Sequence, residues 1–231
     1  MRFPKAYNGV KLLFIAEILS LVVVMMAICL TTVALLPDMG GLSFSVFRGV
    51  MALCFLPALP MSIAAVVLIF VGLSSAKAEE PKFKTAMIFM ICSLVSAFVM
   101  AFVMIFSMVL SIDFSVNPPA VPQPSGVFSV FPSIIGSILS ACAFIFIASG
   151  VINLAKKLGD EPMAAAGRRF QRVYVVFTAL SAIVNIVSYF VRRGSPNAAF
   201  NYTSLISFPL TLALAVITIV FLGRAKNMLA R

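Results

Sequence analysis

Histidine and tryptophan are missing altogether, and only seven aspartates and glutamates occur in 231 residues. Without histidine the chain lacks the commonest general base and the commonest metal ligand. The few acidic residues are scattered, so no carboxylate cluster stands ready to hold Mg²⁺ for phosphoryl or headgroup transfer. The four cysteines, Cys29, Cys54, Cys92 and Cys142, show no CxxC spacing and all fall inside apolar runs, which speaks against a disulfide framework or a zinc site. A serine nucleophile at Ser149-Gly150 would have no evident base. The expectation is a non-enzymatic protein with no cofactor and no metal.

Charge is scarce as well. Charged residues make up 10% of the chain and hydrophobic ones 62%, against about 25% and 45–50% in a soluble domain. Most of the surface must therefore meet lipid. Six runs reach the roughly 20 apolar residues that a helix needs to cross a bilayer: Leu12–Leu36, Val50–Leu73, Ala86–Ile112, Ile134–Leu154, Val173–Val191 and Ser204–Leu222. Backbone groups in lipid have to pair internally, and the short alternating strands of a membrane barrel are absent, so the runs read as helices. The predicted fold is an all-α polytopic helix bundle, one transmembrane domain over residues 1–231. The first run, preceded by Arg2, Lys5 and Lys11, is 25 residues long. That is well beyond the core of a cleavable signal, and it reads as an uncleaved span.

Orientation follows from lysine and arginine. With the N-terminus inside, fourteen of the seventeen fall in cytoplasmic segments, and only Arg48, Arg192 and Arg193 lie outside. Both termini are expected in the cytoplasm of a cell-membrane protein. The net charge of +10 then reflects insertion and anionic headgroups at helix ends rather than nucleic-acid binding.

The six spans also read as one hairpin repeated three times, near residues 1–79, 80–165 and 166–231. The first helix of each pair runs nine positions from a basic residue to a serine: Lys11 to Ser20, Lys84 to Ser93, Arg172 to Ser181. The second ends in Ala76-Lys77, Ala155-Lys156 or Ala225-Lys226, and sixteen residues before each alanine stand Pro60, Leu139 and Pro209. Two-span repeats enter the membrane in the same direction, so a pseudo-threefold ring about the membrane normal is expected. Outside the membrane, Asp113 to Gly126 carries four prolines and reads as a semi-extended connector. On the inside, Lys157 to Gln171 reads as a connector with a turn at Gly159-Asp160-Glu161-Pro162 and a short interfacial helix.

Positions 0, 3, 7, 10 and 14 of a helix share one face. On the fifth span they hold Thr178, Ser181, Asn185, Ser188 and Arg192, an unbroken polar stripe. The matching face has only Glu17, Ser20 and Thr31 as polar groups on the first span, and only Ser93 on the third. Glu17 is the single acidic group within any span, and an ionisable residue there is a functional candidate by default.

Two readings follow. In one, Glu17, Ser20, Ser93, Thr178, Ser181, Asn185, Ser188 and Arg192 form a polar path that binds or translocates a small solute or ion. In the other, these groups hold helices together and the protein is an accessory or structural subunit. It would pack small-residue faces such as Ser133, Ser137, Ser140 and Ala141 against a membrane-protein partner or a second copy of itself. The thioether stripe Met100, Met104 and Met108 reads as apolar packing.

The opening Phe3-Pro-Lys-Ala-Tyr-Asn-Gly-Val-Lys11, followed by Ala16-Glu-Ile-Leu-Ser20, resembles small six-span membrane proteins of Gram-positive bacteria that have no assigned function. Size, span number and orientation are similar to the vitamin-binding S components of energy-coupling-factor transporters. Where those carry Ala-x-x-x-Ala in the first span, this chain has Ala16-x-x-x-Ser20. The three-hairpin plan is similar to that of mitochondrial carriers, but the Pro-x-[Asp/Glu]-x-x-[Lys/Arg] signature of those proteins is missing.

The charge distribution makes a direct prediction. Single cysteines at Ser125 and Asn197 should react with an impermeant thiol reagent in intact cells, while those at Lys82 and Gly167 should not. Labelling at Lys82 from outside would reverse the orientation.

Overall fold

A computed structural model describes residues 2–35, 44–110, 131–194 and 196–231. Among these residues there are six helices and no strand: α1 (Pro4–Leu35), α2 (Phe44–Ala76), α3 (Lys82–Leu110), α4 (Phe131–Leu158), α5 (Glu161–Gly194) and α6 (Pro196–Leu229). Each contains a stretch long and apolar enough to cross a membrane. Exposed side chains such as Leu56 at 78% and Phe102 at 70% would form apolar patches untenable in water, and they suit lipid. The chain is a six-helix integral membrane protein. The proline-rich segment 113–126 lies outside the described residues.

The helices run past the expected spans at the ends rich in lysine and arginine, and specific caps explain why. The α1 helix starts at Pro4 rather than Leu12. Proline suits a first turn because its missing N–H would have had no intrahelical partner. The next amides are satisfied from far along the chain: Lys5 N–H donates to Glu79 Oε1 at 3.1 Å and Ala6 N–H to Glu79 Oε2 at 2.7 Å. A carboxylate is well placed there, at the positive end of the helix dipole.

The expected connector from Lys157 to Gln171 with its separate interfacial helix is not what forms. The α4 helix continues to Leu158, Gly159 turns the chain with φ of 75°, and α5 begins at Glu161 and runs unbroken to Gly194. Gly159 N–H donates to Lys156 O at 3.1 Å and Asp160 N–H to Ala155 O at 2.9 Å, the paired bonds of a left-handed helix stop. Asp160 then caps the next helix, its Oδ1 accepting from Met163 N–H at 2.9 Å. With a stop and a start only two residues apart, nothing is left over for a third helix. The hairpin boundary placed near 165 therefore falls one turn inside α5.

Each helix packs against its neighbours in sequence, and α6 closes on α1. These joins are unequal: α2 touches α3 only lightly, whereas α4 with α5 and α6 with α1 pack broadly. The core gathers at the basic ends of the helices, where Val10, Leu73, Phe83, Val151, Leu154 and Leu222 are fully or almost fully buried. Ala76, Ala155 and Ala225, from the three Ala-Lys pairs, are each completely buried. Lys11, Lys84 and Arg172 are exposed.

The α1–α2 crossing is close because both backbones are bare at the contact. A Cβ on Gly9 would lie 2.5 Å from Gly72 O, and one on Gly72 would lie 2.8 Å from Gly9 O. Gly72 and Ala76 make the small-x-x-x-small spacing that lets membrane helices approach closely. Gly9→Ala should therefore cost about 1–3 kcal/mol by overpacking, read as a fall in Tm in detergent. Gly49→Ala, also within a helix but where a Cβ meets nothing within 4 Å, should not lower Tm, since alanine is the better helix former.

Glu80, next to the capping glutamate, is buried. Its carboxylate accepts from Lys157 Nζ at 2.8 Å and Asn153 Nδ2 at 3.1 Å. Burial alone would raise its carboxyl above the usual range. The Lys157 and Asn153 hydrogen bonds, the Lys157 charge and the Lys82 amide outweigh that and hold it below. A lowered carboxyl pKa stabilises the folded state fully above the ordinary value of 4.5, and the benefit disappears as pH falls through the lowered folded value. Glu80→Gln should lose about 1.5–3 kcal/mol at neutral pH, towards the lower figure because the Lys157 side chain is half exposed. It should also flatten the acid limb of Tm against pH. An acid limb identical to that of the unaltered chain would show that the pair contributes nothing.

Candidate functional site: a polar cavity between three helices

The polar stripe on α5 faces a cavity. Tyr174, Thr178, Ser181 and Asn185 line one wall, Gly136, Ser137 and Ser140 of α4 a second, and Ser207, Thr211 and Leu214 of α6 a third. Its volume is about 470 Å³, within the roughly 300–1,000 Å³ typical of small-molecule sites, and it is partly open to the outside. It occupies the half of the bundle away from the basic helix ends. Small side chains make the space, since α4 and α6 offer mainly glycine, serine and threonine to it.

Among the described residues the lining carries no charged group, and its polar groups are hydroxyls and one amide set among apolar surface. Thr178 Oγ1 donates to Tyr174 O at 2.9 Å and Thr211 Oγ1 to Ser207 O at 2.9 Å. Each threonine hydroxyl has thus used its one hydrogen on its own helix and offers only lone pairs to other groups. Asn185, Ser140 and Ser181 carry both donor and acceptor capacity. The balance tilts towards acceptors.

Tyr174 forms the floor of the cavity towards the basic ends, and further rings back it from outside the cavity. Tyr174 stacks with Phe144 at 5.2 Å between ring centroids and lies 5.4 Å from Phe170, which in turn stacks on Phe221 at 4.3 Å. These rings come from α4, α5 and α6, the same helices that form the walls, so floor and walls are set by one packing arrangement. Beneath the floor, Gln171 Nε2 donates to Ser149 Oγ at 2.7 Å and to Ile145 O at 3.0 Å, tying α5 to α4. Ser149 Oγ itself donates to Ile145 O at 2.9 Å. Its partners are an amide and a carbonyl, neither of them a base.

Of the eight residues expected on a polar path, the structure gathers Thr178, Ser181 and Asn185 in this cavity. Ser20 and Ser93 are half-buried on α1 and α3 and do not line it. The side chains of Ser188 and Arg192, further along α5, lie outside the described set. Glu17 is buried, with 9% of its surface exposed, and is not a lining residue. It lies within electrostatic reach of Tyr174 on the floor, and among the described residues it makes no hydrogen bond or ion pair.

The sequence reading missed the contributions of α4 and α6. Ser137 and Ser140 read there as a face for a partner protein. In the fold both line the cavity, Ala141 beside them is buried, and the side chain of Ser133 lies outside the described set. The signal that could have found them is the serine spacing on α4 taken together with Ser207 and Thr211 on α6, since both helices border α5.

No protein-family model, curated protein or solved structure matches this chain.

Proposed function

We propose that the protein is a non-enzymatic cell-membrane protein that binds, and passes through its helix bundle, a small solute or ion held in the cavity between α4, α5 and α6. One observation carries this reading. Eight hydroxyl or amide side chains from three helices converge on a single space: Ser137, Ser140, Tyr174, Thr178, Ser181, Asn185, Ser207 and Thr211. A membrane bundle that needed these groups only as helix contacts would have little reason to hold the helices apart there. The tilt towards acceptors and the nearby Glu17 carboxylate favour a neutral or cationic solute rich in N–H or O–H donors. In the same reading the termini are cytoplasmic, and the three hairpins are one unit used three times, for which the buried alanines of the Ala-Lys pairs speak.

Hydration is the first test. With the four native cysteines replaced by alanine, Ser140→Cys and Asn185→Cys in membranes should react with a charged methanethiosulfonate, because a thiol ionises only where water reaches it. Val95→Cys, on an exposed apolar face of α3, should not. Unreactive cavity positions would favour the accessory-subunit reading instead. Function is the second test. Asn185→Leu and Glu17→Gln should abolish uptake, or stabilisation by polyols, amides and amines, while the protein stays folded. If Asn185→Leu lowers stability by about 0.6–2 kcal/mol, the cost of a lost interhelical hydrogen bond, and alters no solute response, the residue is structural.

A further inference from the structure

A second cavity, of about 600 Å³, lies between α5 and α6 on a different face of that hairpin. Its walls are apolar, with Val173, Val216 and Val220 all exposed. Its back is the stacked Phe170–Phe221 pair. Towards the basic ends of the two helices it is bounded by Arg169 of α5 and Arg224 of α6. Both arginines are exposed, and neither makes an ion pair or hydrogen bond among the described residues. The acidic residues nearest in sequence are Asp160, spent on capping α5, and Glu161, two helical turns before Arg169.

We propose that this groove is a binding site for one anionic phospholipid, with the phosphate held by Arg169 and Arg224 and an acyl chain lying along the valines. Charge complementarity identifies the occupant. Two guanidinium groups from different helices offer forked donors that match phosphate oxygens, and unpaired cations at the membrane boundary attract anionic headgroups. The apolar wall running from these arginines into the membrane matches the tail of the same molecule. A soluble anion has no use for that wall, and a zwitterionic lipid brings its own cation to compete with the arginines. The groove is separate from the polar cavity, so this proposal goes beyond the solute-binding reading.

The experiment compares delipidated protein in neutral detergent with added phosphatidylglycerol, phosphatidylcholine or inorganic phosphate, read as Tm. Phosphatidylglycerol should give a saturable rise and the other two little or none. The rise should be lost in the Arg169→Gln/Arg224→Gln variant and kept in Arg168→Gln, whose side chain lies off the groove. An equal rise with phosphatidylcholine, an equal rise with phosphate alone, or an undiminished rise in the double variant would overturn the proposal. Should the double variant not fold, native mass spectrometry of the unaltered chain from an equal mixture of the two lipids decides. Preferential retention of one phosphatidylglycerol supports the site, and no preference overturns it.

Discussion

The turn between α2 and α3 ties together two hairpins whose adjoining helices barely touch. Those helices touch only lightly, so direct packing along them contributes little to joining the first hairpin to the second. The join is made instead by two adjacent carboxylates pointing in different directions. Glu79 reaches back to the opening amides of α1, and Glu80 reaches forward to Asn153 and Lys157 of α4. Two helix ends, the start of α1 and the end of α4, are thereby fixed to one turn by charge-assisted hydrogen bonds, the strong kind in a partly buried setting. In a membrane protein this matters more than in water, because lipid tails are as apolar as the helices and give no hydrophobic drive for helices to associate.

With those ends fixed, the basic half of the bundle packs tightly and the other half opens. Bare backbone at Gly9 and Gly72 lets α1 and α2 close on each other, and Lys226 sits 4.8 Å over the Phe14 ring where α6 meets α1. The aromatic floor from Phe144 to Phe221 marks the limit of this packed region. Beyond it, serine, threonine and glycine on facing helices leave space that larger side chains would fill. Firm closure at one end and polar space at the other is an arrangement suited to binding, since the packed half supplies the rigidity that fixes the position of the polar groups.

The two cavities differ in the way their positions suggest. The space among α4, α5 and α6 is lined by neutral hydrogen-bonding groups over an aromatic floor, with a buried carboxylate close by. The groove on the other face of α5 and α6 is apolar with two cations at one end. Both use α5 and α6 but share no lining residue among those described; Tyr174 borders the first and Phe170 the second, their rings 5.4 Å apart.

The sequence alone determined the spans and their number. A run of about 20 apolar residues has no stable alternative to a helix in lipid, so length and composition were enough. It also determined the polar face of α5, because Thr178, Ser181 and Asn185 follow the helical period in an otherwise apolar run. The threefold register of Lys11, Lys84 and Arg172 is visible in the sequence too, and it stays a proposal where the joins between hairpins are unequal. Only the tertiary structure decided where the helices end, since the caps on α1 come from Glu79, more than seventy residues away. It alone decided that Ser137, Ser140, Ser207 and Thr211 face Asn185, and that Arg169 and Arg224 border one groove. The reason is the same in each case. Periodicity fixes which residues share a face of one helix, but in a chain whose faces are nearly all apolar it carries no information about which neighbour that face will meet.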